Sequence, residues 1–349
     1  MPAIFRKKQF WGTLIAVLLL AFCVKDISAT QVQLLYQRLN FYYLIPSVAM
    51  AFLMIILKAI RWRTIVEKTK KLSLVRAISL FSAGQVLNIS MPALTGQVGR
   101  LLLFSRRENL SKTYVFSTIV LEVLFDSITM LIFIFLLSTA SFVFPKEYRS
   151  ISVIIGIATA LLFLILYLIL HYKVQIEAAG RKVLRGRWPG VYIKLKKFSN
   201  SFTKGLALLR SSQYFLKTFF LSLGAWAAHA LVIYFLFKSS GFELPIISAV
   251  VVMVINTIAL MVPITPGNAG TFELAVVAAL LAYKITKSDA VLFAIALHII
   301  DIIPIFVMGL FFFRTERVSI KEIKKIKEEG EKEEIPVDVD DVITEEHKL

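Results

Sequence analysis

Apolar residues in this chain are gathered into runs about as long as a bilayer's hydrocarbon core is thick. Runs at roughly 10–29, 41–60, 113–144, 150–172, 214–238 and 289–313 each read as a membrane span. Two further blocks, 74–104 and 246–283, are long and apolar but broken in the middle by proline and glycine. Hydrocarbon offers no water to satisfy a backbone, so runs of this length require helices. The expected fold is an all-α, polytopic transmembrane bundle. Composition agrees: of 349 residues, 58% are apolar and 18% charged, and a soluble domain is nearer one quarter charged.

Several chemistries are excluded early. The single cysteine, Cys23, rules out a disulfide framework and a thiolate metal site. His171, His229, His298 and His347 are too dispersed for a metalloprotease motif. There is no P-loop and no nucleophile elbow, so neither a metal nor a cofactor is expected. The formal net charge of +17 does not indicate nucleic acid, because the cations sit between spans, where they meet anionic lipid.

Placing those cations in the cytoplasm orients the chain. The basic stretches Arg6–Lys8, Lys58–Arg76, Arg106–Lys112 and Lys173–Arg210 fall on one side if each broken block is a hairpin returning to its own side. This puts both termini in the cytoplasm of a multi-pass cell-membrane protein. Two full spans per block would give the same loop sides. The run from Trp11 to Val24 reads as a signal anchor rather than a cleaved peptide. Residues 173–213 mix Arg and Lys with Trp188, Tyr192 and Phe198, which suits either an orienting basic loop or a helix in the interface plane. Residues 314–349 read as a charged cytoplasmic tail, partly disordered.

The breaks repeat. Pro92-Ala-Leu-Thr-Gly96-Gln-Val-Gly99 and Pro263-Ile-Thr-Pro-Gly267-Asn-Ala-Gly270 share the pattern P-x-x-x-G-x-x-G, 171 residues apart. Each lies in a unit of span, broken block and span, at about 41–144 and 214–313. The orientation above makes the breaks two re-entrant hairpins entering from opposite sides, which is an inverted repeat. A broken helix survives at membrane depth only within protein or beside a polar cavity. Its freed N–H groups and positive dipole end favour an anion such as a phosphate head group. The alternative is a pair of kinked helices packing closely through glycine.

Charged groups within spans are expensive and therefore functional candidates. Arg100 follows the first break and suits a lipid phosphate, or snorkels to the interface. Glu122 and Asp126, four apart on one helical face, suit Arg100, a basic head group, a proton or a structural ion pair. Glu273 starts the half-helix after Gly270, as site carboxylate or N-terminal cap. His298 and Asp301 share a face of the last span as a proton relay or a hydrogen-bonded pair. Asn88 and Asn256 precede the breaks and suit capping of opened backbone. Pro92, Gly96, Gly99, Pro263, Pro266, Gly267 and Gly270 shape the expected substrate site. His229 reads as a packed polar residue.

Three segments, NISMPALTGQVGR from Asn88 to Arg100, LEVLFD around Glu122 and Asp126, and PITPGNAGTFE from Pro263 to Glu273, carry a family resemblance. Together with His298 in the final span, they resemble the flippase-like integral-membrane family named for the transmembrane region of lysyl-phosphatidylglycerol synthase, without its soluble synthase domain. The resemblance covers most of residues 10–313 and implies lipid translocation. Leu94, Gln97 and Val123 stand where the family usually carries arginine, glutamate and arginine. The leading expectation is a transporter moving an anionic, aminoacylated or polyprenyl-phosphate lipid, and not an enzyme. Two alternatives are a non-transporting partner of a lipid-linked glycosyl- or aminoacyl-transferase, and an intramembrane enzyme acting on a lipid head group.

Overall fold

The computed structural model describes residues 8–139 other than 26 and 91–93, residues 171–184, residues 188–315 other than 207, 208, 210 and 261–264, and scattered positions from 154 to 169. All regular structure among the described residues is helical. In chain order the helices are α1 (Lys8–Val24), α2 (Ala29–Arg38), α3 (Phe41–Val66), α4 (Leu74–Ser90), α5 (Leu94–Glu108) and α6 (Lys112–Thr139). They continue with α7 (Lys173–Leu184), α8 (Pro189–Gly205), α9 (Ser212–Ser239), α10 (Ile246–Ala259), a 3₁₀ turn (Pro266–Asn268), α11 (Thr271–Leu281) and α12 (Lys287–Thr315).

Four helices, α3, α6, α9 and α12, are long and apolar enough to cross a membrane. The described part of helix α1 has 17 residues, about 25 Å, against the ~30 Å of a bilayer core. The expected span at 150–172 lies mostly outside the described residues, as does the tail beyond Thr315. The 173–213 segment forms α7 and α8, and α8 packs on α6 through Phe202, 6.2 Å from Phe116 between ring centroids.

The order long helix, broken pair, long helix occurs twice, as α3 to α6 and as α9 to α12. The helix bounds recur at the 171-residue spacing of the two breaks to within six residues, with no insertion between them. Contacts recur as well. Helix α3 packs on α9; α4 on α12 matches α6 on α10; α3 on α12 matches α9 on α6. The last helix of each half thus packs against the opposite half, and the core shows the exchange. Met130, Phe133 and Leu137 of α6 join the apolar cluster of the second half, while Ile305 of α12 joins that of the first.

Close backbone approach is set by glycine. A Cβ on Gly96 would lie 2.5 Å from the Asn88 carbonyl oxygen, and one on Gly84 would lie 2.8 Å from Arg100 Cγ. These two contacts fold α5 back along α4. A Cβ on Gly309 would meet Val86 Cγ2 at 2.5 Å, so α12 closes tightly on α4. Overpacking of this kind costs about 1–3 kcal/mol. We therefore expect Gly96→Ala to lower the denaturation midpoint of detergent-solubilised protein. Gly190→Ala, whose Cβ would meet nothing, should leave it unchanged or slightly raised.

Candidate functional site

Glu122 and Asp126 lie one turn apart on α6, and each meets an arginine. Arg100 on α5 donates through Nη2 to both Glu122 oxygens, at 2.6 and 2.8 Å. Its guanidinium also stacks over the rings of Phe81 and Phe104. Arg61 on α3 donates to both Asp126 oxygens and, through Nη1 at 2.6 Å, to the Ser222 hydroxyl on α9. The Trp226 indole N–H donates to Asp126 Oδ1 at 2.7 Å. Arg61 is 1% exposed and Arg100 3%. Unpaired charges so deep would cost several kcal/mol each, so the pairing is what permits them.

Beside this lattice lies a cavity of about 460 Å³ between α6 and α10, reaching α3, α9 and α12. Its polar lining is Lys58, Gln85, Asp126, Ser127, His229, Asn256, Thr257 and Asp301. Lys58 sits 4.5 Å over the Trp226 ring and has no carboxylate within ion-pair distance among the described residues. His229 Nε2 lies 3.1 Å from Asp301 Oδ2. His229 Nδ1, Asp301 Oδ1 and Asn256 Oδ1 are buried without a hydrogen-bond partner, three polar atoms suited to a polar guest. Val123, 52% exposed and near the middle of α6, forms part of the rim, so the cavity opens sideways at mid-helix.

Four lining pairs stand 171 residues apart: Ile55 and Trp226, Lys58 and His229, Gln85 and Asn256, Met130 and Asp301. Corresponding positions of the two halves therefore converge on one space.

The second break borders the cavity through Phe272. Gly267 and Gly270 take φ of 59° and 84°, the left-handed region that glycine enters at little cost. Glu273 Oε2 accepts from the Gly270 N–H at 2.6 Å, and Oε1 lies 2.7 Å from His298 Nδ1. His298 Nε2 lies 3.0 Å from the Gly267 carbonyl oxygen. Phe272 stacks on the imidazole, with ring centroids 4.3 Å apart.

Compared with known proteins, residues 9–309 match the family described as the lysylphosphatidylglycerol synthase TM region. The chain belongs to that family. A UPF0104 membrane protein of Methanocaldococcus jannaschii is 27% identical over 247 residues, covering 69% of this chain and 99% of that protein. A second, from Pyrococcus horikoshii, is 23% identical over 279 residues, covering 74% of this chain and 82% of that protein. No solved structure matches.

For this member of the lysylphosphatidylglycerol synthase TM region family, the structure redistributes the residues singled out from sequence. Asp126, Asn256 and Asp301 line the cavity. Arg100 and Glu122 lie outside its lining and hold α5 to α6. His298 and Asp301 do not pair with each other: His298 turns to Glu273 and Asp301 to His229. Gly96 and Gly99 are buried; Gly96 packs on the backbone of half-buried Asn88. Pro266 opens the 3₁₀ turn, while Pro92 and Pro263 lie outside the described residues.

Lys58 and Arg61, expected in a cytoplasmic loop, are inside the bundle because α3 runs on to Val66. The sequence signal was the pair of span carboxylates, which had to find cations. We expect Arg61→Met alone to cost about 3–5 kcal/mol by stranding Asp126. Arg61→Met combined with Asp126→Leu should recover most of that loss in the same denaturation assay. Simple additivity would show that the two groups do not act as one pair.

Proposed function

We propose that this protein moves a phosphate-bearing amphipathic lipid between the leaflets of the cell membrane, the passenger being anionic, aminoacylated or a polyprenyl phosphate. The observation that carries the proposal is the cavity: polar within, and open at mid-helix beside exposed Val123. A lipid head group fits that arrangement, with its chains left in the bilayer. Its volume is within the ~300–1,000 Å³ typical of ligand sites. Lys58 holds the phosphate by charge and hydrogen bond. The unpartnered acceptors Asn256 Oδ1 and Asp301 Oδ1 take the donors of the head group.

The two halves act as an inverted repeat whose broken blocks are re-entrant hairpins, with both termini in the cytoplasm. This reading is supported by the common spacing of the helices, the matched contacts and the paired lining positions. Rocking of one half against the other then alternates access to the cavity.

The test is translocation of fluorescent phosphatidylglycerol and polyprenyl phosphate in liposomes, read by quenching of the outer leaflet. Lys58→Met should slow transfer about ten- to a hundredfold, the loss of a charge-assisted hydrogen bond. Rates equal to those of protein-free vesicles would end the proposal. A thiol-accessibility test addresses the hairpins, with Thr95→Cys and Asn268→Cys expected to label at membrane depth. Full aqueous exposure of the two positions on opposite sides would mean pairs of full spans instead.

A further inference from the structure

The hydrogen bonds around the second break fix how many protons it holds. A carbonyl oxygen only accepts, so His298 Nε2, facing Gly267 O at 3.0 Å, carries a proton. A backbone N–H only donates, so Glu273 Oε2, facing Gly270 N at 2.6 Å, accepts. The remaining contact, Nδ1 to Oε1 at 2.7 Å, then requires one proton between imidazole and carboxyl. That state is a neutral pair or an imidazolium carboxylate, and both satisfy all three bonds.

We infer that Glu273 and His298 form a proton-binding site that fastens the second break to α12 only while it holds that one proton. A second proton makes Glu273 a neutral acid whose hydroxyl needs an acceptor, yet the Gly270 N–H and the imidazolium Nδ1–H that face it only donate. Removing the proton sets the Nδ1 lone pair against the carboxylate. Alternatively the ring moves its remaining proton to Nδ1 and loses the Gly267 carbonyl. Every departure from one proton therefore costs one of the three bonds that hold the glycine turn or leaves a hydroxyl beside them without an acceptor.

The geometry connects this site to both halves. Phe272 covers the imidazole and also lines the cavity, and Gly267 packs against Ile89 at the end of α4. Among the described residues no third His, Cys, Asp or Glu joins Glu273 and His298 to complete a metal site, whereas a proton enters the existing contact.

Other charged groups on the packed elements are few. Helix α1 presents the buried Cys23, and Lys287 begins α12. Asp301 lies one turn along α12, paired with His229 of α9. Helix α3 presents Lys58 to the cavity, α2 carries the exposed Arg38, and α10 carries no titratable side chain. The C-terminal half of α4 carries none either.

For transport, the inference rests on the lipid-translocation reading and names the proton as the coupled ion. It is tested in two arms on the full chain. Histidine-selective ¹⁵N spectra, with His298 assigned through His298→Gln, should show a protonated Nε2 and an Nδ1 resonance that titrates together with Glu273. In Glu273→Gln the amide can donate to Nδ1, so Nδ1 should become a plain acceptor. In liposomes, a gradient of one pH unit should shift the leaflet ratio of labelled phosphatidylglycerol by up to about tenfold, and Glu273→Gln should abolish that response.

An Nδ1 resonance unchanged from about pH 5 to 9, or lipid movement indifferent to the gradient, would overturn the inference. Titration of Nδ1 with no lipid movement at all would remove the translocation reading and leave the proton site standing.

Discussion

Charges sealed away from every cavity in an apolar bundle need partners of opposite sign, and that constraint fixes where α3, α5, α6 and α9 meet. Arg61 reaches from α3 to Asp126 on α6 and Ser222 on α9, and Arg100 reaches from α5 to Glu122. Removing any one partner leaves the other stranded in a low dielectric, so these four helices are held in one register. The cavity sits against this lattice and takes Asp126 from it as part of its wall. Lys58 is one turn from Arg61 on the same helix, yet it is turned to the cavity and to the Trp226 face.

The two halves share a plan but not a chemistry. In the first half, Arg61 and Arg100 are charged at any accessible pH, so its ion pairs are permanent fixtures. In the second half the corresponding roles fall to imidazoles, His229 with Asp301 and His298 with Glu273. Lys58 and His229 occupy matching positions and both line the cavity, one an amine and the other an imidazole. One half thus pairs its carboxylates with guanidinium groups and the other with imidazoles.

Much of this was legible in the residues, for identifiable reasons. Apolar run length located the long helices, and proline with glycine located both breaks, because hydrocarbon leaves the backbone few choices. Lys58 and Arg61 were misplaced because cations near the end of an apolar run normally belong to a loop, and only the fold reveals their partners on α6 and α9. The pairing of His298 with Asp301 failed for a geometric reason. Three residues advance a helix by about 300°, leaving the two side chains some 60° apart around the axis. That angle sends His298 to α11 and Asp301 to α9. No spacing within one helix reports which neighbour lies beyond each side chain.

The contact of Gly309 with Val86 and Ser82 has a meaning beyond close packing. It shuts the joint between α4 and α12, whose counterpart in the other half, between α6 and α10, stands ajar around the cavity. A single molecule therefore displays one kind of joint in two settings. The shut joint sets a scale for how near the helices of the open one can come. Ser127 and Met130 of α6 and Asn256 and Thr257 of α10 are among the lining side chains that such an approach would bring together.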